Sequence, residues 1–177
     1  MMGRLRRTHV HFLLALAALA LAHPRPITNA IGAALCVIGI IVRIWAAGVL
    51  EKGGGLCMDG PYRWVRHPLY LGSSAVALGL CVMTNSVWGW AVILPVFAVL
   101  YWAQATHEER RLRDEFGEAY LQYAHVVPII VPAPPRVAGS GRAWQLARVV
   151  KNREHYHVMV TCSLVTLFYL RHLLPWV

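Results

Sequence analysis

The sequence predicts an all-α protein, an integral membrane helical bundle with about five transmembrane helices. Two observations support this prediction. The 177-residue chain is 58% hydrophobic and only 14% charged, with a mean hydropathy of +0.50, whereas a soluble domain is about half apolar and about a quarter charged. The apolar residues also fall in five segments, three of whose four connections contain basic residues and proline, while the fourth is the short polar Thr84-Asn85. We interpret residues 1–177 as a single membrane domain.

The five segments differ in length. They comprise residues 9–22, 27–50, 69–83, 86–104 and 157–174. A transmembrane helix needs about 20 residues, so the second, fourth and fifth are long enough, and flanking residues extend the other two. The first segment also resembles a signal peptide, with Ala20-Leu21-Ala22 mimicking a cleavage site. Since further spans follow, we expect it to be retained as the first helix.

Basic residues lie mainly on one side of these segments. Fourteen of the 17 Lys and Arg residues precede the first segment, or lie between the second and third or between the fourth and fifth. The opposite loops carry Arg25 and the uncharged Thr84-Asn85. This asymmetry places the N-terminus and both large loops in the cytoplasm. A membrane surface explains the positive charge better than a nucleic acid does.

The four cysteines indicate neither a metal site nor a disulfide framework. They are scattered, without a Cys-x-x-Cys pair. Three lie inside apolar segments, where a cysteine is usually a small buried hydrophobic residue.

The most informative stretch is residues 60–72, Gly-Pro-Tyr-Arg-Trp-Val-Arg-His-Pro-Leu-Tyr-Leu-Gly. Polar groups at a membrane boundary are costly, which makes them candidates for a functional site. Pro68 suits the first turn of a helix, whose free N–H groups favour an anionic ligand. Arg66 adds a bidentate donor, His67 a donor or acceptor, and Tyr70 an aromatic face with a hydroxyl. The alternative is a basic and aromatic belt at the interface.

Two adjacent carboxylates follow the fourth segment. Residues 105–125 are predicted to continue its helix, with an interruption at Gly117. Glu108 and Glu109 then lie on the same side of the membrane as residues 60–72, so the two groups can meet. For Glu109 the alternative is a helical ion pair with Arg113, four residues later.

Residues 141–177 are predicted to form an amphipathic helix followed by the last span. In residues 143–153 the side chains of Trp144, Ala147 and Val150 are expected to face lipid.

These motifs resemble the isoprenylcysteine carboxyl methyltransferase family, which is related to the phospholipid methyltransferases. The resemblance covers residues 32–135. Besides residues 60–72 it rests on Arg43-Ile44-Trp45-Ala46, Glu108-Glu109-x-x-Leu112, and Phe116-Gly117-Glu118-Ala119-Tyr120-x-x-Tyr123. The ordered set is much more specific than any one of its parts.

The resemblance implies a methyltransferase that uses S-adenosylmethionine in a cytoplasmic cofactor cleft. It places the protein in the membrane, which we take to be a bacterial inner membrane, with a lipid-like or small apolar methyl acceptor. Aromatic faces and carboxylates suit the sulfonium cation of the cofactor. The candidate cofactor-binding residues, with Arg66 and Glu109 added for their charge, are Gly55, Leu56, Tyr62, Arg66, His67, Pro68, Leu69, Tyr70, Glu108 and Glu109.

Gln104 is an informative departure from the resemblance. Prenylcysteine enzymes of the family carry an arginine four residues before the glutamate, positioned for the substrate carboxylate. An amide cannot replace a bidentate guanidinium, so a prenylcysteine carboxylate is not the expected acceptor. Gln104 and Arg43 are the candidate substrate residues, although Arg43 can instead extend toward the membrane surface. The sequence identifies no catalytic base.

Two other functions stay open at this point. One is a nicotinamide-dependent membrane reductase that shares the His-Pro-x-Tyr cleft, although such chains are longer. The other is a non-catalytic membrane subunit, which needs none of these polar residues. Binding of S-adenosylmethionine, of reduced nicotinamide dinucleotide, or of neither separates the three.

Overall fold

The computed structural model describes residues 19–51 and 53–173. Over these residues the chain is helical, with turns and extended connections and no strand. The helices are α1 (Pro26–Val49), α2 (Pro68–Thr84), α3 (Val87–Val126), α4 (Leu146–Lys151) and α5 (Glu154–Leu173), with a 3₁₀ turn at Gly60–Arg63. The all-α prediction is therefore confirmed for the described residues. Most of the predicted first segment lies outside them.

Two helices, α1 and α3, are long and apolar enough to cross a membrane. Helix α2 is apolar but has only 17 residues. Only 11% of the most apolar stretch of α3 is buried within the chain, and 33% of that of α1. The core helix of a soluble protein is mostly buried, so this exposure favours contact with lipid. The number of five spans stays a prediction.

Helices α1 and α2 run antiparallel and pack closely through small residues. A Cβ atom added at Gly39 would lie 2.5 Å from the carbonyl oxygen of Gly72. One added at Gly79 would lie 2.5 Å from the carbonyl oxygen of Gly32. Small residues allow helix backbones to approach in this way within membranes. The contact places the end of α1 beside the start of α2.

Helix α3 continues beyond its apolar half, as the sequence predicts. It is interrupted at Gly117, whose φ of 52° and ψ of −126° are not helical. A residue with a side chain is strained in this region, which explains the glycine. The interruption redirects the last part of α3, so that Tyr120 and Tyr123 are buried with Val127 against Leu56 and Leu112.

An extended segment, residues 127–145, returns along the loop that precedes α2. The backbone N–H of Arg66 donates to Pro128 O at 2.8 Å, and the N–H of Ala133 donates to Trp64 O at 3.0 Å. Farther along, the N–H of Gly141 donates to the buried Asp59 carboxylate at 3.0 Å. We call residues 127–145 the strap. It holds in place the loop that carries the most informative motif.

The end of the strap corrects one prediction. The helix expected over residues 143–153 extends only over Leu146–Lys151, and Asn152 and Arg153 separate it from α5. Trp144 packs on α1 at Gly48, where an added Cβ would overlap the indole ring. Its indole N–H donates to Ile44 O at 3.2 Å, so Trp144 anchors the strap to α1. It stays 45% exposed, and its contact with lipid stays a prediction. The sequence does not show that Gly48 leaves room for the indole ring.

Candidate active site

Helix α2 begins as the sequence predicts. Pro68 is its first residue, and His67 occupies the N-cap position with φ −120° and ψ 65°. The His67 side chain does not cap the helix. It is buried and turned toward α3, where its Nε2 atom lies 2.8 Å from Glu109 Oε1. The predicted meeting of residues 60–72 with the two carboxylates is therefore confirmed.

Glu108 and Tyr70 form the most accessible part of the contact between α3 and the start of α2. The Tyr70 hydroxyl donates to Glu108 Oε2 at 2.6 Å. The Tyr70 ring stacks on His67, with ring centres 5.2 Å apart, and Gln104 also interacts with the Tyr70 hydroxyl. The Glu108 side chain keeps 36% of its surface exposed. An accessible carboxylate therefore lies beside a polar aromatic face.

Glu109 is more enclosed than Glu108. Together with Arg66 and His67 it forms a group of paired side chains that we call the clamp. Arg66 Nη1 donates to Glu109 Oε2 at 2.8 Å, and Arg66 Nε donates to Val127 O at 2.8 Å. Burial alone would raise the pKa of Glu109, but the Tyr120 hydroxyl, His67 and the positive charge of Arg66 outweigh it and hold that pKa below its ordinary value of 4.5. Glu109 is thus stabilised as an anion that joins α2, α3 and the strap.

This geometry decides between two sequence-based alternatives. Glu109 pairs with Arg66 and His67, so the proposed helical pair with Arg113 is wrong. Helix α3 instead carries an exposed pair of that spacing between Arg111 and Glu115, at 4.0 Å. Arg66, expected to offer its guanidinium to a ligand, uses its Nε and Nη1 atoms within the protein.

The remaining candidate residues lie around the same loop. Tyr62 is buried with Ala46, Val49 and Cys57, and Leu69 packs against this group. Burial raises the pKa of Tyr62 well above its ordinary value of 10, and nearby groups that include Glu108 raise it further. Tyr62 is therefore a neutral phenol within electrostatic reach of Glu108.

Gly55 and Leu56 belong to the connection between α1 and the 3₁₀ turn. Gly55 has a φ of +85° in an exposed turn, with open space where a Cβ would lie. Leu56 is partly buried against the cluster of Tyr120, Tyr123 and Val127. Leu56 thus packs against residues that neighbour Glu109, whereas Gly55 lies on the exposed surface.

The chain also contains functional candidates that the sequence did not single out. Phe97 and Tyr101 stack at 3.9 Å between ring centres, and Tyr101 meets Tyr70 edge to face at 5.3 Å. An aromatic column thus leads from the apolar half of α3 to the site. The sequence does show that Phe97 and Tyr101 are four residues apart on α3. Many other apolar pairs have the same spacing, so this spacing alone does not single them out.

Arg43 has a partner within the protein, and the alternative that it extends toward the membrane surface stays a prediction. It is only 8% exposed, and its guanidinium pairs with Glu154 at the start of α5. The signal that could have identified Glu154 is the need of a charge within an apolar segment for a partner. Glu154 lies three residues before the start of the last apolar segment, on the same predicted side of the membrane as the end of α1.

Among the described residues, 19–51 and 53–173, no group of three or more His, Cys, Asp or Glu side chains could hold a metal ion. The groups at the site are instead two carboxylates, an imidazole, a guanidinium and a phenol. This set suits a polar organic ligand that carries hydroxyl or cationic groups.

Fold and site define a class of helical protein with apolar helices of membrane-spanning length and a carboxylate–aromatic site where two helices meet. The chain belongs to the phospholipid methyltransferase family, whose sequence model matches residues 27–119. The matched region contains α1 except its first residue, all of α2, most of α3 and every candidate site residue. The resemblance to the isoprenylcysteine enzymes is confirmed by relatives of that name.

Three similar proteins illustrate the range of the relatives. The chain is 36% identical over 104 residues to the cobalt-zinc-cadmium resistance protein CzcN of Cupriavidus metallidurans, covering 58% of this chain and 46% of that protein. It is 37% identical over 84 residues to the protein-S-isoprenylcysteine O-methyltransferase of Schizosaccharomyces pombe, covering 45% and 34%. It is 29% identical over 106 residues to phosphatidylethanolamine N-methyltransferase B of Dictyostelium discoideum, covering 53% of each.

The chain thus spans about half or less of the length of these curated relatives. No solved structure matches it significantly.

Proposed function

We propose that the protein is an S-adenosylmethionine-dependent membrane methyltransferase that acts on a lipid-like or small apolar acceptor. One observation carries this proposal. The accessible Glu108 carboxylate is held at 2.6 Å by Tyr70, which stacks on His67, within the region matched by the phospholipid methyltransferase family. Two relatives are named as methyltransferases of a lipid and of a prenylated cysteine.

The site residues fit this cofactor chemically. S-adenosylmethionine, when bound, supplies an electrophilic methyl group on a sulfonium cation. The stacked rings of His67 and Tyr70 offer an aromatic face, and Glu108 offers a negative charge that attracts an ammonium or sulfonium and accepts hydrogen bonds from ribose hydroxyls. The cofactor would be held by these three residues together with Pro68, Leu69, Tyr62, Gly55 and Leu56.

In this proposal the side chains of the protein mainly align the reacting groups and exclude water from them. The Tyr70 hydroxyl fixes Glu108, and the clamp of Glu109, Arg66 and His67 fixes the start of α2 against α3. Methyl transfer is an in-line displacement, which depends on alignment and on exclusion of water. We therefore assign positioning roles and name no general base.

The acceptor would approach from the bilayer. The apolar half of α3 is largely exposed, and the column of Phe97, Tyr101 and Tyr70 leads along it toward Glu108. A long apolar acceptor would lie against these rings with its reactive group near Gln104. The cofactor would enter from the opposite, cytoplasmic side, in a bacterial inner membrane, as the basic loops predict.

Binding measurements distinguish this function from its alternatives. Purified protein in detergent is titrated calorimetrically with S-adenosylhomocysteine and with reduced nicotinamide dinucleotide. The proposal predicts binding of the first and not of the second. The family match already favours the methyltransferase over the reductase, and a chain that binds neither compound would be a non-catalytic subunit.

The acceptor is proposed to lack a carboxylate. A buried carboxylate without a paired cation is unfavourable by several kcal/mol. At the relevant position this chain has Gln104, next to the Tyr70 hydroxyl. Neither Arg43 nor Arg111 substitutes for it, because Arg43 pairs with Glu154 and Arg111 is exposed. A neutral or amine-bearing lipid, a small thiol or a phenol fits better.

Transfer of a labelled methyl group tests this choice. We expect a prenylcysteine analogue to be methylated poorly, and neutral or amine-bearing acceptors to be methylated faster. Gln104→Arg should retain binding of S-adenosylhomocysteine. Efficient methylation of the prenylcysteine analogue by the unmodified protein would contradict the assignment and would point to Arg110 as the substitute cation.

A further inference from the structure

The guanidinium of Arg43 connects three helices in the interior of the protein. Its Nε and Nη2 atoms donate to the two carboxylate oxygens of Glu154 at 2.8 and 2.9 Å. Its Nη1 atom donates to Leu69 O at 3.2 Å and to the Ser73 hydroxyl. Arg43 belongs to α1, Glu154 to α5, and Leu69 and Ser73 to α2. The side chains of Arg43 and Glu154 are 10% and 5% exposed.

Leu69 makes this connection relevant to the site. It lies between Pro68 and Tyr70, in the first turn of α2, whose neighbouring side chains contact Glu108 and Glu109. The fit of Arg43 against this turn is close, because a Cβ added at Gly72 would lie 2.6 Å from Arg43 Cγ. The orientation of Arg43 thus bears directly on where the turn lies.

Glu154 holds the guanidinium of Arg43 through both of its carboxylate oxygens. A bidentate ion pair fixes the plane of a guanidinium, whereas a single hydrogen bond does not. With both carboxylate oxygens engaged, the Nη1 atom is directed at Leu69 O. Glu154 lies beyond the region matched by the family, which ends at residue 119. The start of α2 is thus tied to a helix outside that region.

We propose that Glu154 and Arg43 are positioning residues, through which α5 sets the first turn of α2 and thereby the alignment of His67 and Tyr70 with the two carboxylates. This inference rests on the proposed function, because the aligned site is the proposed cofactor site. Arg43 was a candidate substrate residue, and its role here replaces that one. Neither residue is assigned contact with cofactor or acceptor.

A buried ion pair is weak evidence for a purely stabilising role. Replacing a buried ion pair by apolar residues of similar volume often leaves stability unchanged or raises it, whereas removing one partner is strongly destabilising. The double variant Arg43→Met with Glu154→Met should therefore fold, and it removes the contact with Leu69 O. A purely structural pair predicts that this variant keeps its cofactor affinity.

Three variants of the full chain test the proposal, Glu154→Gln, the double methionine variant, and Glu51→Gln as a control. Glu51 also joins the C-terminal part of the chain to the end of α1, through a pair with Arg148 at 3.3 Å, but its side chain is 45% exposed. The readouts are the thermal midpoint, affinity for S-adenosylhomocysteine per folded protein, and hydrogen exchange over residues 64–76 without ligand.

We expect the double variant to bind S-adenosylhomocysteine roughly tenfold more weakly than the unmodified protein, by analogy with the loss when partners of metal-binding side chains are removed. Exchange should rise over residues 64–76, with little change in the thermal midpoint. Glu154→Gln should show the same local effect with a lower midpoint, or fail to fold. Glu51→Gln should match the unmodified protein.

Unchanged affinity and unchanged local exchange in the double variant would overturn the inference while leaving the proposed function intact. So would exchange that rises evenly over α1, α2 and α5 with affinity retained. If the unmodified protein binds no S-adenosylhomocysteine, the proposed function fails. In that case, hydrogen exchange over residues 64–76, compared between the variants and the unmodified protein, still tests whether Glu154 holds the start of α2.

Discussion

Glu109 is an anion held between two partners from the loop before α2. Arg66 and His67 each lie 2.8 Å from one of its oxygens, and the side chain is 18% exposed. Partial burial by itself opposes ionisation, so the low pKa of Glu109 depends on these partners and on Tyr120. The clamp should therefore be sensitive to acid.

The direction of that sensitivity follows from linkage. Because the pKa of folded Glu109 lies below its ordinary value of 4.5, its contribution to stability is complete above that value and is lost as the pH falls through the folded pKa. We expect the thermal midpoint of the unmodified protein to fall in this acid range more steeply than that of Glu109→Gln. The measurement is a series of thermal melts in detergent from neutral pH to about pH 3. Parallel curves for the two proteins would contradict the role of Glu109.

For single residues, the sequence predicted which side chains meet but not how they pair. His67, Tyr70, Glu108 and Glu109 were predicted to meet, and they do. The pair of Glu109 with Arg113 was wrong because exposed helical pairs stabilise by only about 0.2–0.5 kcal/mol, and a less exposed arginine and a histidine were available across the interface. Which face of α3 turns toward the loop depends on tertiary packing, which local spacing does not reveal.

Among the helices, α1 and α2 pack most closely against each other. Their glycines face each other's backbone, with a Cβ at Gly39 only 2.5 Å from Gly72 O and 2.8 Å from Val76 Cγ2. A backbone oxygen cannot move aside as a flexible side chain can. The distance between these helices therefore fixes how the end of α1 lies beside the start of α2.

Gly39→Ala should destabilise the protein despite the higher helix propensity of alanine. Overpacking costs about 1–3 kcal/mol, which exceeds the propensity gain of about 0.5–1 kcal/mol. Chemical unfolding or thermal melts in detergent measure the change. Ala34→Leu is the control, since it adds more volume on an exposed part of the same helix and should have little effect. A Gly39→Ala protein as stable as the unmodified one would contradict the close contact.

Helix boundaries were largely predictable, and the strap was not. Pro68 and Gly117 indicate the start of α2 and the interruption of α3 through the properties of proline and glycine. The prolines after residue 127 exclude regular helix there but do not say where the segment goes. Its route depends on distant partners, such as Asp59 with Gly141 and Gly48 with Trp144.

For the whole molecule, the charge pattern predicts how the chain is inserted. Reporter fusions at Asn85 and at the C-terminus should read as external, and a fusion at Gly139 as cytoplasmic, because basic loops remain in the cytoplasm. The structure adds a constraint, since Gly139 lies against Asp59 in the loop before α2. The two must share one side of the membrane. An external signal at Gly139 would exclude the predicted cytoplasmic site.

The central claim is that the carboxylate of Glu108 belongs to a cofactor site. Its most direct test compares the affinities of Glu108→Gln and Glu115→Gln for S-adenosylhomocysteine, measured calorimetrically on purified protein. Both variants remove one carboxylate from α3, but Glu115 is an exposed residue paired with Arg111. Hydrogen bonds to a charged group contribute about 1.5–3 kcal/mol. Glu108→Gln should therefore bind roughly ten- to hundredfold more weakly, while Glu115→Gln binds like the unmodified protein. Equal affinities for the two variants, or no binding by the unmodified protein, would contradict the claim.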